Sequence, residues 1–475
     1  MQTELLKADE KGLKRAAELL SAGETVVFPT ETVYGLGADA LNTDAVEKIF
    51  IAKGRPSDNP LIVHIAKKED LFEIVREVPE KAELLMEKFW PGPLTVIMKK
   101  SEKVPKSVTA GLDTVGVRMP EEKVAREFIS LAQRPVAAPS ANISGRPSPT
   151  TFFDVCTDMT GRAKAIIEGE PSKVGVESTV IDMTSEIPTV LRPGGVTVDQ
   201  IEAVIGKVQL STSAKDSSVP KAPGMKYRHY APKARVHILK GSLSDVKEFL
   251  KKIGGLFEKV GVICFDEMQE ELKGLCEKVS LGKMNCPEDA AKNLFSALRK
   301  MDEIEADIIF APEIPEDGLW LAVKNRLYKA AGESIIDVKN AKTLLFICMG
   351  NTCRSPMAEG IFAQINKNVI VSSAGLSAGG TGANEKAINA AKRQGADISA
   401  HKSKTLTLDM LEAADVVVTM TEEIKSILPY PEKTVTIYEL AGEKGDLADP
   451  YGCSEEIYES CASEIKRLAQ KVLKI

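Results

Sequence analysis

The sequence predicts an α/β protein of about three domains, on three observations. The chain has 475 residues, too many for one compact core and enough for about three. Short apolar runs alternate with segments of helical periodicity, the pattern of strands followed by helices. One stretch, Leu210-Ser211-Thr212-Ser213-Ala214-Lys215-Asp216-Ser217-Ser218-Val219-Pro220, is small and polar with nothing to bury, so it reads as a linker. The resulting division is 1–210, a connecting segment 211–232, then 233–338 and 342–475.

Composition narrows the function classes. The chain is 43% hydrophobic and 27% charged, with 62 basic against 68 acidic side chains and a net charge of −6, so no global basic surface advertises nucleic acid. Met1-Gln2-Thr3-Glu4 has neither a basic n-region nor an apolar h-region, and no apolar run approaches the length that spans a bilayer. The 8 cysteines are scattered without a metal-type C-x2-C pair. A cytoplasmic, reducing location without a membrane and without a protein-built metal site is therefore expected.

In the first domain, Thr25-Val26-Val27-Phe28 forms a strand that runs into Pro29-Thr30-Glu31-Thr32-Val33-Tyr34-Gly35-Leu36-Gly37, whose hydroxyls and glycines suit close contact with a polar ligand. A helix from about Asp44 buries Val46, Ile49 and Phe50 and ends in Lys53-Gly54-Arg55-Pro56. Asn59 and a strand over 61–65 carrying His64 follow. Read alone, Lys53 and Arg55 are dipole-complementing surface charges and His64 is a satisfied core histidine. Further elements change that balance: Thr114-Val115-Gly116-Val117-Arg118 on a strand, the loop Ala138-Pro139-Ser140-Ala141-Asn142-Ile143-Ser144-Gly145, Glu177-Ser178-Thr179-Val180, and Leu191-Arg192-Pro193-Gly194. Arginines at several strand ends beside Ser/Thr loops make a cradle for a polyanion such as a triphosphate.

After the linker, strands over 235–239, 259–265 and 308–310 alternate with helices over 242–253, after Pro287 and over 319–331. The last of these has Leu319, Leu321, Ala322, Leu327 and Ala330 mostly on one face. That alternation predicts a small, Rossmann-like parallel-sheet domain.

The third domain opens with Leu344-Leu345-Phe346-Ile347-Cys348-Met349-Gly350-Asn351-Thr352-Cys353-Arg354-Ser355-Pro356: an apolar strand, a turn, and a helix start with proline near its first position. A phosphate in such a loop is bound by successive backbone N–H groups and the helix N-terminus, with Arg354 forking onto two oxygens. The same field lowers the pKa of Cys348, a nucleophile aimed at phosphorus that Ser355 can hydrogen-bond and then release as a leaving group. Near the C-terminus, Asp449-Pro450-Tyr451 places an acid on a proline-bounded loop, suited to protonating a leaving group.

With these motifs, and with Ser372-Ser373-Ala374-Gly375 and the strand Asp415-Val416-Val417-Val418-Thr419-Met420, residues 342–475 resemble the low-molecular-weight protein tyrosine phosphatase family. The resemblance implies a doubly wound parallel sheet and a cofactor-independent enzyme acting on a phosphorylated protein. It also implies Cys348, Arg354 and Asp449 as catalytic residues and Gly350, Asn351, Thr352, Cys353 and Ser355 as the phosphate loop. Thr352, where tyrosine-specific members carry a bulky aliphatic, and Gly452, where a second aromatic would stand, resemble the protein-arginine phosphatase branch. A tyrosine phosphatase that has drifted at these positions is the alternative. Cys353 is either the partner of Cys348 in a reversible disulfide or loop filler.

The motifs of the first part resemble the YrdC-like threonylcarbamoyl-AMP synthases. Ala222-Pro223-Gly224-Met225-Lys226-Tyr227-Arg228-His229-Tyr230-Ala231-Pro232 and Asn325-Arg326-Leu327 indicate their long two-domain form. This resemblance implies a YrdC-like twisted α/β sheet and the conversion of L-threonine, bicarbonate and ATP into threonylcarbamoyl-AMP and pyrophosphate, with Mg2+ bridging phosphates. Thr32, His64, Arg118, Ser140 and Ser178 would contact threonine, with Arg118 on its carboxylate. Lys53, Arg55 and Arg192 would hold phosphates or nucleotide, and Asn59, Thr114, Ala138, Ser148, Arg192 and Tyr227 would line the nucleotide side. The product would pass to proteins that transfer threonylcarbamoyl to tRNA. The segment 211–232 is then a lid over the open site or a plain linker. A rival class, an RNA-binding or ribosome-assembly module on the same concave surface, is disfavoured by the net negative charge. For the third domain the rival is a catalytically silent docking module, against which Cys348, Arg354, Ser355 and Asp449 all speak.

Overall fold

The computed structural model describes residues 1–211 and 230–472; Tyr227 and nearly all of the expected lid segment lie outside the described residues. The described chain forms three sheets: an eleven-stranded mixed sheet, a five-stranded parallel sheet and a four-stranded parallel sheet. The α/β class and the two parallel sheets are as the sequence predicts.

In the large sheet the strands that matter for function are central neighbours, in the order Gly35–Asp39, Val136–Ala138, Ile62–His64 and Thr114–Arg118. Their register decides which side chains meet. His64 pairs with Arg118 across one ladder, Ile62 with Ala138 across the next, and Gly35 bridges to Ser140. The helix Thr43–Lys53 is capped at its start by the Asn42 side chain and stopped by Gly54 in the left-handed conformation, φ +60°. That stop leaves Lys53 at the end of the helix and buried, 3% exposed, so the surface-charge reading of this residue does not hold.

The five-stranded sheet has Ile308–Pro312 at its centre, flanked by Arg235–Lys240 and Val260–Cys264. Side chains alternate across it, so Val236, Ile238, Ile263 and Ile309 face the helices Pro287–Ile304 and Trp320–Ala330. Val33 and Val176 of the first domain join this core, and Gly175 lies against the same helix: a Cβ there would come within 2.3–2.7 Å of Lys292 and Ala291 backbone atoms. The opposite face, with Leu239, Val262 and Phe310, packs on the helix Leu243–Ile253.

The third sheet has the order Val369–Gly375, Lys342–Cys348, Val416–Thr419, Thr434–Thr436. Its Leu344–Phe346–Cys348 face lies under Arg354–Ile365, Glu385–Arg393 and Glu455–Lys471. On the other face Leu345, Ile347, Ile370 and Val417 share one apolar cluster with Phe249, Leu250, Ile253 and Phe257 of the second domain. Among the described residues no helix is long and apolar enough to cross a membrane.

Candidate active sites

A cleft open to solvent lies at the central strands of the large sheet. Thr32, Lys53, Arg55, His64, Arg118, Ala138, Ser140, Ser178 and Arg192 all line it, although they come from seven separate stretches of chain. Asn59, Thr114 and Ser148 do not. Asn59 and Ser148 are fully buried, Ser148 against the cleft residue Glu177, and Thr114 begins the strand whose far end carries Arg118.

Arg118 is held from three sides. Its Nε donates to Gly92 O at 3.3 Å, one terminal nitrogen to Thr32 Oγ1 at 2.8 Å and the other to Glu31 at 2.6 Å. A guanidinium has five N–H donors, so two remain for a ligand, and the pair with Glu31 fixes their direction. Next to it, His64 packs edge-on against Phe28 and hydrogen-bonds through Nδ1 to Ile62 O at 3.2 Å. Burial, and then the neighbouring Arg118 charge, push its pKa down to about 3, so the ring is neutral at physiological pH.

Lys53 reaches across to the 140–142 loop, donating to Ser140 O, to Asn142 O at 2.8 Å and to Asn142 Oδ1 at 3.2 Å. Burial, then the charge of Arg55, hold its ammonium well below the ordinary lysine value. Three oxygens for three N–H groups make Lys53 the clamp of this loop, and it meets a phosphate only by letting go of one of them. On the opposite wall Arg192 donates twice to Ser178 O, at 3.2 and 3.0 Å, and Ser178 Oγ bonds Thr95 Oγ1 at 2.8 Å.

Two carboxylates, Glu177 and Glu31, stand in the sequence motifs without a role, and Tyr230 is placed there only as part of the segment expected over the site. Glu177 accepts from Ser148 Oγ at 2.8 Å and from Arg326 Nε of the second domain at 2.8 Å. Burial opposes its charge, but Arg326 and Arg192 outweigh burial and bring its pKa down to about 2. Glu31 was quoted only as part of a motif, yet it orients Arg118. Tyr230, where the described chain resumes, lines the cleft and packs at a tilt on Phe295 of the second domain, ring centroids 5.1 Å apart, while the next residue donates its N–H to Gly145 O. The available signal was the acids themselves, since a carboxylate inside a buried loop has to be paired.

The second site is the loop after Lys342–Cys348. Cys348 Sγ lies 3.0 Å from Ser355 Oγ and accepts the Asn351 backbone N–H at 3.3 Å. Asn351 sits in the left-handed region, φ +52°, so its N–H turns inward. The loop closes tightly on Gly375, where a Cβ would meet Met349 O at 2.7 Å and Asn351 N at 2.9 Å. Arg354 donates to Leu447 O and to the Asp449 carboxylate, so the acid loop is docked onto the phosphate loop. Cys353 is a free thiol facing Tyr458 at 3.4 Å, with its pKa raised by burial. Thr352 is half-buried beside it, and Tyr451 is 72% exposed. Gly452 has φ +79°, a conformation that itself favours glycine, so substrate choice is not the only reason for a glycine there.

Comparison with known proteins follows the same partition. Residues 18–194 match the family model described as "Telomere recombination", 196–332 match "Threonylcarbamoyl-AMP synthase, C-terminal domain", and 343–475 match "Low molecular weight phosphotyrosine protein phosphatase". Over 338 residues the chain is 48% identical to a threonylcarbamoyl-AMP synthase of Pyrococcus abyssi (strain GE5 / Orsay), covering 70% of this chain and 97% of that protein. Over 336 residues it is 46% identical to that of Bacillus subtilis (strain 168), with coverages of 70% and 97%. The crystal structure of P. abyssi Sua5 complexed with L-threonine is similar with a TM-score of 0.66 at 47% identity, covering 71% of this chain and 99% of that one.

Proposed function

Because the chain belongs to the threonylcarbamoyl-AMP synthase family and carries a low-molecular-weight phosphatase domain behind it, we propose that it runs two chemistries at two separate sites. The first is the condensation of L-threonine, bicarbonate and ATP to threonylcarbamoyl-AMP and pyrophosphate, which feeds tRNA modification through downstream transferase proteins. The carrying observation is Arg118, buried and aimed by Glu31, with two N–H groups left for the amino acid carboxylate beside Thr32 and Ser178. A solved relative complexed with L-threonine supports the same amino acid here.

The reaction needs no covalent enzyme nucleophile. Threonine's amine is captured as a carbamate, whose oxygen attacks the α-phosphorus while pyrophosphate departs. The cleft's task is to align reactants and neutralise charge, with Arg55 and Arg192 on the nucleotide side. Neutral His64 positions and does not donate a proton to solvent-derived species at pH 7. Glu177, the carboxylate of the cleft lining among the described residues, and Glu31 behind Arg118 are both committed to arginines, so the cleft does not fit a protein-built Mg2+ cage. A magnesium ion would enter as part of the ATP substrate, on phosphate oxygens.

Purified protein given ATP, Mg2+, bicarbonate and threonine should release pyrophosphate; release that ignores threonine overturns the assignment. Deleting 211–232 should leave ATP binding and remove most product if that segment is a lid, and full activity would make it a linker.

The second chemistry is phosphoryl transfer to Cys348. The thiolate attacks phosphorus held by Arg354 and the loop amides, Asp449 protonates the leaving group, and water then hydrolyses the cysteinyl phosphate with Ser355 stabilising the departing sulfur. Phosphoarginine is the favoured substrate, on the small, half-buried Thr352 in the phosphate loop, whose hydroxyl lies 3.7 Å from Cys353 Sγ; phosphotyrosine is the second reading. The 8 cysteines are all free, which supports a reducing compartment such as the cytoplasm.

A further inference from the structure

The phosphatase loop is tied to a chain of polar groups that leaves its own domain. Cys348 Sγ lies 3.0 Å from Ser355 Oγ, and Ser355 Oγ accepts from Asn351 Nδ2 at 2.9 Å. The other Nδ2 hydrogen goes to Ser373 Oγ at 2.8 Å, and Ser373 in turn donates to Glu359 at 2.7 Å. The amide orientation is fixed independently, because Asn351 Oδ1 accepts the Lys404 backbone N–H at 2.9 Å. The bonds from Asn351 to Ser355 and Ser373, and from Ser373 to Glu359, therefore each have one direction. An ionised Glu359 draws the Ser373 proton, Ser373 presents a lone pair to Asn351, and Asn351 fills the Ser355 lone pair. The Ser355 proton then has two acceptors within reach, the sulfur at 3.0 Å and Ala374 O at 3.5 Å, and the nearer is the sulfur.

What keeps Glu359 ionised comes from outside. Arg235, the first residue of the Arg235–Lys240 strand in the second domain, lies 3.7 Å from Glu359, the two side chains being 30% and 18% exposed. His401 faces the same carboxylate at 4.0 Å and bonds Asn351 O through Nε2 at 3.0 Å; Lys404 is the remaining cation nearby. Burial works against the Glu359 charge, and Arg235 is the first of the cations that outweigh it. Burial also keeps His401 below its ordinary value, so near neutrality Arg235 and Lys404 carry the compensating charge.

We propose that Arg235 of the synthase's second domain is a positioning residue for the phosphatase, holding the Glu359–Ser373–Asn351–Ser355 chain in the polarity that directs a hydroxyl proton at Cys348. The proposal rests on the phosphatase reading of the third domain and adds to it that the active site is completed across the domain boundary. Without Arg235, Glu359 loses the first of its compensating cations, the direction of the chain is no longer held, and the Ser355 proton is free to turn away from Cys348.

The test uses the full chain. The alkylation rate of Cys348 by iodoacetamide is followed against pH by peptide mass spectrometry, beside kcat/KM for p-nitrophenyl phosphate and threonine-dependent pyrophosphate release. Arg235→Gln should move the alkylation midpoint to higher pH and lower kcat/KM about two- to five-fold, the range for a part-exposed ion pair. Arg235→Lys should restore both, and pyrophosphate release should be unchanged. Lys252→Ala, which cuts a different ion pair between the same two domains, with Asp415 at 2.7 Å, should leave the midpoint in place. An unmoved midpoint in Arg235→Gln, or an equal shift in Lys252→Ala, overturns the proposal. Failure of the wild type to hydrolyse any phosphate ester would overturn the phosphatase reading instead, while the alkylation midpoints still decide the coupling.

Discussion

Arg326 Nε, on a helix of the second domain, donates to the Glu177 carboxylate of the first at 2.8 Å, with side-chain exposures of 0% and 8%. Arg326 also bonds Pro193 O and the Glu177 backbone carbonyl. The synthase cleft is thus closed on one side by a charge that belongs to another domain.

Cutting this pair strands a buried charge, and Arg326→Met should cost about 3–5 kcal/mol in urea unfolding at pH 7. The pH dependence has a definite sign. Glu177 has its folded pKa lowered from 4.5 to about 2, so its contribution is complete above pH 4.5 and is lost as pH falls toward 2. Glu177→Gln should be less stable at pH 7 and show a shallower loss across that window. Parallel curves would mean that the pair is not formed in solution.

Arg118→Ala should weaken threonine by about 2–5 kcal/mol and leave ATP affinity nearly intact, as read by calorimetric titration of each ligand. Part of that loss reflects Glu31 left buried without its cation. Glu31→Gln, which keeps the shape and releases the guanidinium, should therefore weaken threonine by less. Equal loss of both ligands in Arg118→Ala would point to collapse of the cleft.

His64 is neutral in the fold down to about pH 3 and charges in the unfolded chain near 6.5. Stability from this group is complete above pH 6.5 and drains away as pH falls toward 3. Thermal unfolding at stepped pH should show a shallower decline for His64→Gln than for wild type between pH 6.5 and 4.5. Identical slopes would mean that His64 takes up a proton without leaving the fold.

Cys348→Ser should abolish turnover of every phosphosubstrate, and Asp449→Asn should slow expulsion of a phenol. Phosphoarginine peptides should exceed phosphotyrosine peptides in kcat/KM, and Thr352→Ile should reverse the order by crowding a planar guanidinium. A wild-type preference for phosphotyrosine that survives Thr352→Ile returns the domain to the tyrosine phosphatases.

What could be read from the chain follows distance along it. The phosphate loop was legible because Cys348, Asn351, Arg354 and Ser355 are local: a strand, a tight turn and a helix start set their geometry without help. The parallel sheets were legible because apolar runs and helical periodicity alternate plainly after Arg235. The pairs Arg118–Glu31 and Arg326–Glu177 were not, since they join residues 87 and 149 positions apart and depend on strand register and domain docking. For the same reason the local reading of Lys53 as a surface charge fails, and its reach to the 140–142 loop could not be seen beside the nucleotide role that the resemblance implied. Thr114, though on the strand of Arg118, begins it and so falls at the end away from the cleft.

The apolar cluster joining Phe249, Leu250 and Ile253 to Leu345, Ile347 and Val417 has a consequence for how the two enzymes are connected. The peptide between the strands Ile335–Asp337 and Lys342–Cys348 is only 338–341, yet the adhesion between the halves does not depend on it. A protease cut there should yield two fragments that co-elute and melt in a single transition. That outcome would make the covalent link redundant in the folded molecule, with the third domain seated on the second as a subunit seats on its partner.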